Sequence, residues 1–357
     1  MTAMDKTLRD PAALAAAGLI PGAAADGLAT LAERYAIAIP PAFAALIDPA
    51  DPTDPIARQV VPILAELDHQ PEERADPIGD EAHSPLPGIV HRYPDRVLLK
   101  LLHVCPLYCR FCFRRERVGP GEDAMLSADQ TAAALDYIAG TPAVWEVILT
   151  GGDPLMLSPR RIAAVMARLA AMDHVRIVRF HTRVPVATPE AVTPALVEAL
   201  RSSGKATYVA LHANHPRELT AAARAACARL IDAGLVLLSQ TVLLRGVNDD
   251  PEVLAALMRS LVETRVRPYY LHHPDLAPGT SHFRLSLEEG QRIVAALRGR
   301  VSGLCQPTYV LDIPGGFGKV PVGPTYLAEA GRVLDPWGNE HPCPAPGAGG
   351  AGLAASG

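Results

Sequence analysis

The sequence has no long apolar run. Its most hydrophobic stretches, Gly234 to Leu238 and Val242 to Leu244, are separated by Ser239 and Gln240. Neither approaches the roughly 20 residues needed to cross a bilayer. It also lacks an excess of one charge: a formal net charge of −5, with 20% charged residues, gives no reason to expect nucleic acid or an anionic membrane as partner. The N-terminus, where Asp5, Lys6, Arg9 and Asp10 precede only a short Ala-rich run, makes a poor secretory signal. A cytoplasmic location is therefore expected. Cysteine is scarce, with six in 357 residues, and three of them (Cys105, Cys109 and Cys112) fall within eight positions. A disulfide framework is not built that way in a chain of this size, so the cluster reads as metal or redox chemistry.

What is present is alternation. Short β-rich apolar runs occur at 97–103, 145–150, 176–180, 207–211, 235–240, 267–271 and 308–311. Helical patterns separate most of them: 128–139, 159–171, 189–201, 216–233, 251–263 and 287–299. Ser127 and Ser158 are placed as N-caps, and Ser286 with Glu289 forms a capping box. Strand–helix alternation of this kind predicts parallel βαβ units. Six repeats and a closing strand fit an α/β, incomplete TIM-like (βα)6 barrel; a doubly wound open sheet is the competing architecture. Residues 1–88, broken by Pro40, Pro41, Pro49, Pro52 and Pro55, read as a helical N-terminal extension. Residues 89–325 form the barrel and residues 326–357 a partly disordered tail, its Pro/Gly/Ala end starting near Pro342.

The polar residues fall at the C-terminal ends of the expected strands, where a barrel keeps its active site. The cysteines follow the first strand, Gly151-Gly152-Asp153-Pro154 the second and His181-Thr182-Arg183 the third. His212 and Gln240 end the fourth and fifth, His272 and Asp275 follow the sixth, and Asp312 follows the seventh. Three thiolates in a Cys-x3-Cys-x2-Cys spacing can hold three irons of a [4Fe–4S] cluster and leave the fourth iron open. The alternative is a zinc site, but zinc pairs are usually separated by a dozen or more residues. A plain strand-to-helix turn is the alternative for Gly151-Gly152, a surface lysine for Lys319, and surface acids for Asp275 and Asp312.

Several blocks together resemble the lysine 2,3-aminomutase family of radical S-adenosylmethionine (SAM) enzymes. They include Arg92-Tyr93-Pro94-Asp95-Arg96, the cysteine cluster followed by Arg114 and Arg115, and Leu149 to Leu155. Gln240 to Asp249, Arg267 to Tyr270, Ser281 to Arg284 and Asp312 to Pro321 extend the resemblance over roughly residues 88–325. It implies a radical SAM, pyridoxal phosphate (PLP)-dependent isomerase that moves the amino group of L-lysine from C2 to C3, giving β-lysine. It also implies that Cys105, Cys109 and Cys112 hold the [4Fe–4S] cluster and that Lys319 bonds PLP. Arg92 and Arg96 would lie near the PLP phosphate, and His272 would stand where an aromatic ring packs on PLP. Gly151, Gly152, Asp153, His212 and Gln240 would line SAM. Arg114 would take the substrate α-carboxylate, and Asp275 with Asp312 its distal ammonium, since paired acids in a closed site call for a cation between them. An electron donor of flavodoxin or ferredoxin type is implied, and the subunit count is left open.

The sequence departs from that pattern not only at His272 but also in its cysteines, and its short form is shared with the branch that makes β-lysine for elongation factor P. Family members place a zinc-binding cysteine ten residues after the glutamine and a cysteine trio near the C-terminus; here Asp250 and the single Cys343 stand there, so zinc is not expected. Arginine as substrate, or β-lysine supply for elongation factor P, remains the alternative within the family. A non-catalytic Fe–S or zinc-binding barrel protein is the alternative outside it.

Overall fold

The computed structural model describes residues 6–121, 124–329 and 331–343. Nine strands form one sheet in strictly sequential order. They are β1 Ile89–Tyr93, β2 Arg96–Leu102, β3 Glu146–Gly151, β4 Ile177–Thr182, β5 Ala206–His212, β6 Val236–Val242, β7 Arg267–His272, β8 Thr308–Ile313 and β9 Gly318–Pro321. From β2 to β8 each strand pairs parallel with the next, while β1 and β9 are antiparallel edge strands. A doubly wound sheet would reverse its strand order, so the sequential order decides for an incomplete barrel.

All seven expected strands form. Helices Ala128–Ala139 and Pro251–Glu263 coincide with their predicted bounds. Three expected helices are shorter, and two of them split ahead of a new N-cap. The 189–201 pattern splits into a single turn, Pro189–Ala191, and helix Pro194–Arg201 capped by Thr193. The 216–233 pattern splits into Pro216–Glu218 and helix Ala221–Asp232 capped by Thr220. The expected 287–299 helix ends at Ala295. Asp250 accepts from the Glu252 N–H at 2.6 Å and caps helix Pro251–Glu263, which gives this residue a structural use.

The main core lies between the parallel strands and their helices, with Leu99, Leu149, Phe180, Leu211 and Leu271 fully buried. A second core belongs to the N-terminal extension, whose α-helices have only four to six residues, as its prolines dictate. Leu8, Leu14, Ile39, Phe43 and Ile56 bury there against Leu107, which lies between the first two cluster cysteines. The tail is ordered ahead of the stretch near Pro342 where disorder was expected to begin. Strands β10 Leu327–Ala328, β11 Arg332–Leu334 and β12 Glu340–Pro342 make a small antiparallel sheet. Residues 344–357, where disorder was expected, lie outside the described residues.

Candidate active site

The cysteine loop leaves the C-terminal end of β2. Cys105, Cys109 and Cys112 are free and half-buried. Burial pushes the Cys112 thiol up to about 11, with Cys109 adding to the effect, and raises Cys105 further through Asp153, Cys112 and Cys109. Such thiols hold their protons until a metal displaces them. Among the described residues no three His, Cys, Asp or Glu side chains converge to share one ion. A cubane asks something different, one thiolate for each of three irons.

Polar groups of the extension pin this loop. Glu66, fully buried, receives Arg110 through Nε at 3.0 Å and Nη2 at 2.6 Å, and pairs with Arg115. The Arg183 Nη1 donates to Cys109 Sγ at 2.8 Å.

Gly151 and Gly152 were expected to let a ligand approach, but the close approach is to the chain itself. A Cβ on Gly152 would lie 2.2 Å from the Val104 carbonyl oxygen, and one on Gly151 (φ +111°) would lie 2.6 Å from that of Leu102. The glycines seat the end of β3 on the start of the cysteine loop. Asp153, buried, accepts from Thr182 Oγ1 at 2.7 Å, the Arg183 N–H at 2.7 Å and the Leu155 N–H at 3.1 Å. Its carboxylate is occupied within the protein and ties β3 to β4.

Two neutral histidines line the mouth. Burial lowers the pKa of His212 and His181 well below the ordinary value, helped by Arg183 at His212 and Arg179 at His181. The Nε2 of each is buried without a hydrogen-bond partner, and His212 packs 5.5 Å from Phe111. Gln240 stands beside His212 in the β5–β6 register. Buried, unpartnered imidazole nitrogens are what a polar ligand would satisfy.

β9 brings Lys319 beside Asp312 of β8. Its Nζ pairs with Asp312, lies 3.2 Å from His272 Nδ1 and 5.6 Å from the Tyr270 ring centre. The Lys319 N–H donates to the Tyr93 hydroxyl at 2.7 Å. Burial would raise Asp312, but His272 and Lys319 outweigh it and hold the carboxyl well below its usual range. Asp275 behaves oppositely: burial first, then the Asp312 charge, pushes it up to about 7. His272 is kept neutral by burial and by Lys319. His272, expected to pack on PLP, points Nδ1 at Lys319 and Asp312.

Three cations surround one carboxylate that the sequence reading missed. Asp80, buried, takes Arg114 through Nε and Nη2 at 3.1 and 2.9 Å, Arg92 at 3.3 Å and Lys100 at 3.6 Å. Burial opposes ionisation of Asp80, and Arg114 and Lys100 overcome it. Arg92 also donates to the Ile78 carbonyl at 2.5 Å, while its Nε is buried and unpartnered. Arg96 is not drawn into this group. It pairs with Asp95 at 2.7 Å and lies 3.8 Å over the Tyr93 ring. Asp80 carried no motif, and its role depends on where the extension folds back.

A barrel with a cysteine loop on its first parallel strand defines a radical SAM enzyme, and residues 99–258 match the family model described as Radical SAM superfamily. Residues 294–333 match a second model, described as Lysine-2,3-aminomutase. L-lysine 2,3-aminomutase of Clostridium subterminale is 43% identical over 302 residues, covering 85% of this chain and 72% of that protein. The Acetoanaerobium sticklandii protein of the same name is 42% identical, with the same two coverages of 85% and 72%. Glutamate 2,3-aminomutase of Clostridioides difficile is 37% identical over 84% of this chain and 70% of that protein. The chain belongs to the lysine 2,3-aminomutase family. It is an isomerase of the radical SAM class, with a [4Fe–4S] cluster, SAM and PLP as its cofactors. Among the described residues no helix is long and apolar enough to cross a membrane.

Proposed function

We propose that the protein converts L-lysine to β-lysine. The observation that carries this reading is the grouping of Lys319, His272 and the acid pair Asp275 and Asp312 at one side of the barrel mouth. Two carboxylates of opposite tendency, one ionised and one raised to about 7, suit a substrate that brings a second cation. A distal carboxylate, as in glutamate, would meet repulsion there. Arg114 presents Nε and Nη2 to Asp80, which leaves its Nη1 edge toward Thr150 for the substrate α-carboxylate.

Cys105, Cys109 and Cys112 would hold the cluster, Gln240 and the unpartnered nitrogens of His181 and His212 would face SAM, and Arg92 would meet the PLP phosphate. When bound, these groups supply the radical that takes hydrogen from C3 and the carrier on which nitrogen moves from C2 to C3. The chain supplies position and shelter from water. Lys319 would hold PLP, and Asp312 beside it would balance the charge of the lysine amine whenever that amine is free. The chain has four lysines, and Lys100 is the other one in this region, its amine lowered by burial and by Arg114. An electron donor of flavodoxin or ferredoxin type would reduce the cluster, and a cytoplasmic location suits that supply.

The test is anaerobic. Protein reconstituted with iron, sulfide and PLP, then reduced and given SAM and L-lysine, yields β-lysine by mass-resolved chromatography. Formation of 5′-deoxyadenosine with arginine or glutamate, and none with lysine, overturns the substrate assignment. In Lys319→Ala the visible absorbance of protein-bound PLP disappears while iron content stays. Persistence of that absorbance in Lys319→Ala, with loss in Lys100→Ala, would transfer the role to Lys100.

A further inference from the structure

Arg183 stands just past β4, where its backbone N–H is fixed by Asp153 at 2.7 Å. Its side chain is buried, 4.9 Å over the Phe43 ring and 5.8 Å from that of Phe111. Nη2 donates to Gln59 Oε1 at 2.6 Å and to Glu218 Oε2 at 2.9 Å. Glu218 is itself immobilised, because its Oε1 accepts from the Asn214 N–H at 2.9 Å, the His215 N–H at 3.0 Å and Gln59 Nε2 at 3.1 Å. The guanidinium therefore cannot swing away; its Nε is buried without a partner, and Nη1 is aimed at Cys109 Sγ at 2.8 Å. An ion pair with Glu218 alone would not require that aim. Asn214 adds a further brace, donating to Gln59 Oε1 at 3.1 Å.

We propose that Arg183 is a positioning residue that sets the reduction potential of the cluster through its N–H···S bond to Cys109. The inference rests on Cys109 being a cluster ligand. Reduction adds one electron from the donor to the cluster, and no bond forms or breaks. A donor N–H fixed on a ligand sulfur favours the more negative, reduced form, so it raises the potential. Glu218 opposes that effect by neutralising part of the guanidinium charge. The two residues thus act on the cluster with opposite sign.

The experiment is an anaerobic redox titration of the reconstituted full-length protein, followed by the electron paramagnetic resonance signal of the reduced cluster. Iron and sulfide content and far-UV circular dichroism are measured on each sample. Arg183→Met is combined with Glu218→Gln so that no lone buried charge remains. The expected result is a roughly tenfold lower ratio of reduced to oxidised cluster at a fixed potential, equivalent to a downward shift of about 59 mV for one electron. Glu218→Gln alone shifts the midpoint upward, and Arg183→Lys falls between wild type and the double variant. A loosened fold would not give shifts of opposite sign. If the double variant does not load iron, the two single substitutions carry the test. Midpoints unchanged in variants with intact clusters overturn the role of Arg183, whereas wild-type protein that assembles no cluster overturns the ligand assignment beneath it.

Discussion

The cysteine loop and the lysine hairpin are held in opposite ways. Leu107 and Phe111 of the cysteine loop are buried, and two buried guanidiniums on Glu66 bolt it to the extension. The β8–β9 hairpin turns through Gly315, Gly316 and Gly318, all at positive φ, and carries Phe317 80% exposed at its tip. Beyond its ladder with β8 it is tied by the Lys319 N–H to the Tyr93 hydroxyl, His83 Nε2 to the Gly316 oxygen and the Gly315 N–H to the Pro77 oxygen, with Gly79 packed on its turn. Ligands of a cluster have to stay in place through a redox step, whereas a lysine that trades partners has to move. The difference in anchoring follows the difference in task.

The sharpest way to break the comparison is Glu66→Gln. It leaves Arg110 and Arg115 buried without the carboxylate charge they share, and breaking such a pair costs about 3–5 kcal/mol. Denaturant titration should show that loss, together with reduced iron uptake and unchanged hairpin chemistry. An unaltered midpoint would mean that the extension does not hold the loop. Gly152→Ala comes next. Its new Cβ meets backbone atoms of Val104 and His103, which cannot rotate away, and overpacking of this kind costs about 1–3 kcal/mol. Iron content after reconstitution should fall while helix content by circular dichroism stays the same.

Why some of this was legible in the sequence and some was not has a physical reason. Period and capping depend on neighbours in the chain, so the seven parallel strands and helices such as Ala128–Ala139 could be read directly. Cys105, Cys109 and Cys112 lie within one loop, so their spacing carried their chemistry. Asp80, Glu66 and Gln59 act through folding back of the extension onto residues 30 to 160 positions away, and no local pattern marks such a partner. The same holds for the occupied carboxylate of Asp153, whose partner Thr182 lies on the next strand, whereas Arg96 is taken by its own neighbour Asp95. Sequence could place a residue at a strand end; it could not say whether its polar atoms were already satisfied.

Asp275 offers a milder test, on the hairpin side. Its carboxyl, raised from 3.8 to about 7, binds more protons folded than unfolded in that window. Stability is therefore greatest below its ordinary pKa and falls as pH rises from about 4 through about 7. Asp275→Asn should flatten that part of the curve. Binding of L-lysine asks for the ionised form, so affinity should fall about tenfold for each pH unit below 7, or about 1.4 kcal/mol. A calorimetric pH series on protein loaded with PLP reads this, and an identical slope in Asp275→Asn would remove the residue from the cation site.

The smallest expected effect separates the hairpin's tip from its turn. Phe317 is exposed, so Phe317→Ser should change stability by no more than about 0.5 kcal/mol. Gly316 sits at φ +88°, and its added Cβ would lie 2.9 Å from His83 Nε2. A side chain in that conformation is strained by about 1 kcal/mol or more whatever space surrounds it. Gly316→Ala should thus lower the midpoint slightly and slow the attachment of PLP to Lys319, followed by stopped-flow absorbance, while Phe317→Ser leaves both unchanged. Equal behaviour of the two variants would show that the turn contributes only length, and that Lys319 is placed by its pairing with Asp312 and Tyr93 alone.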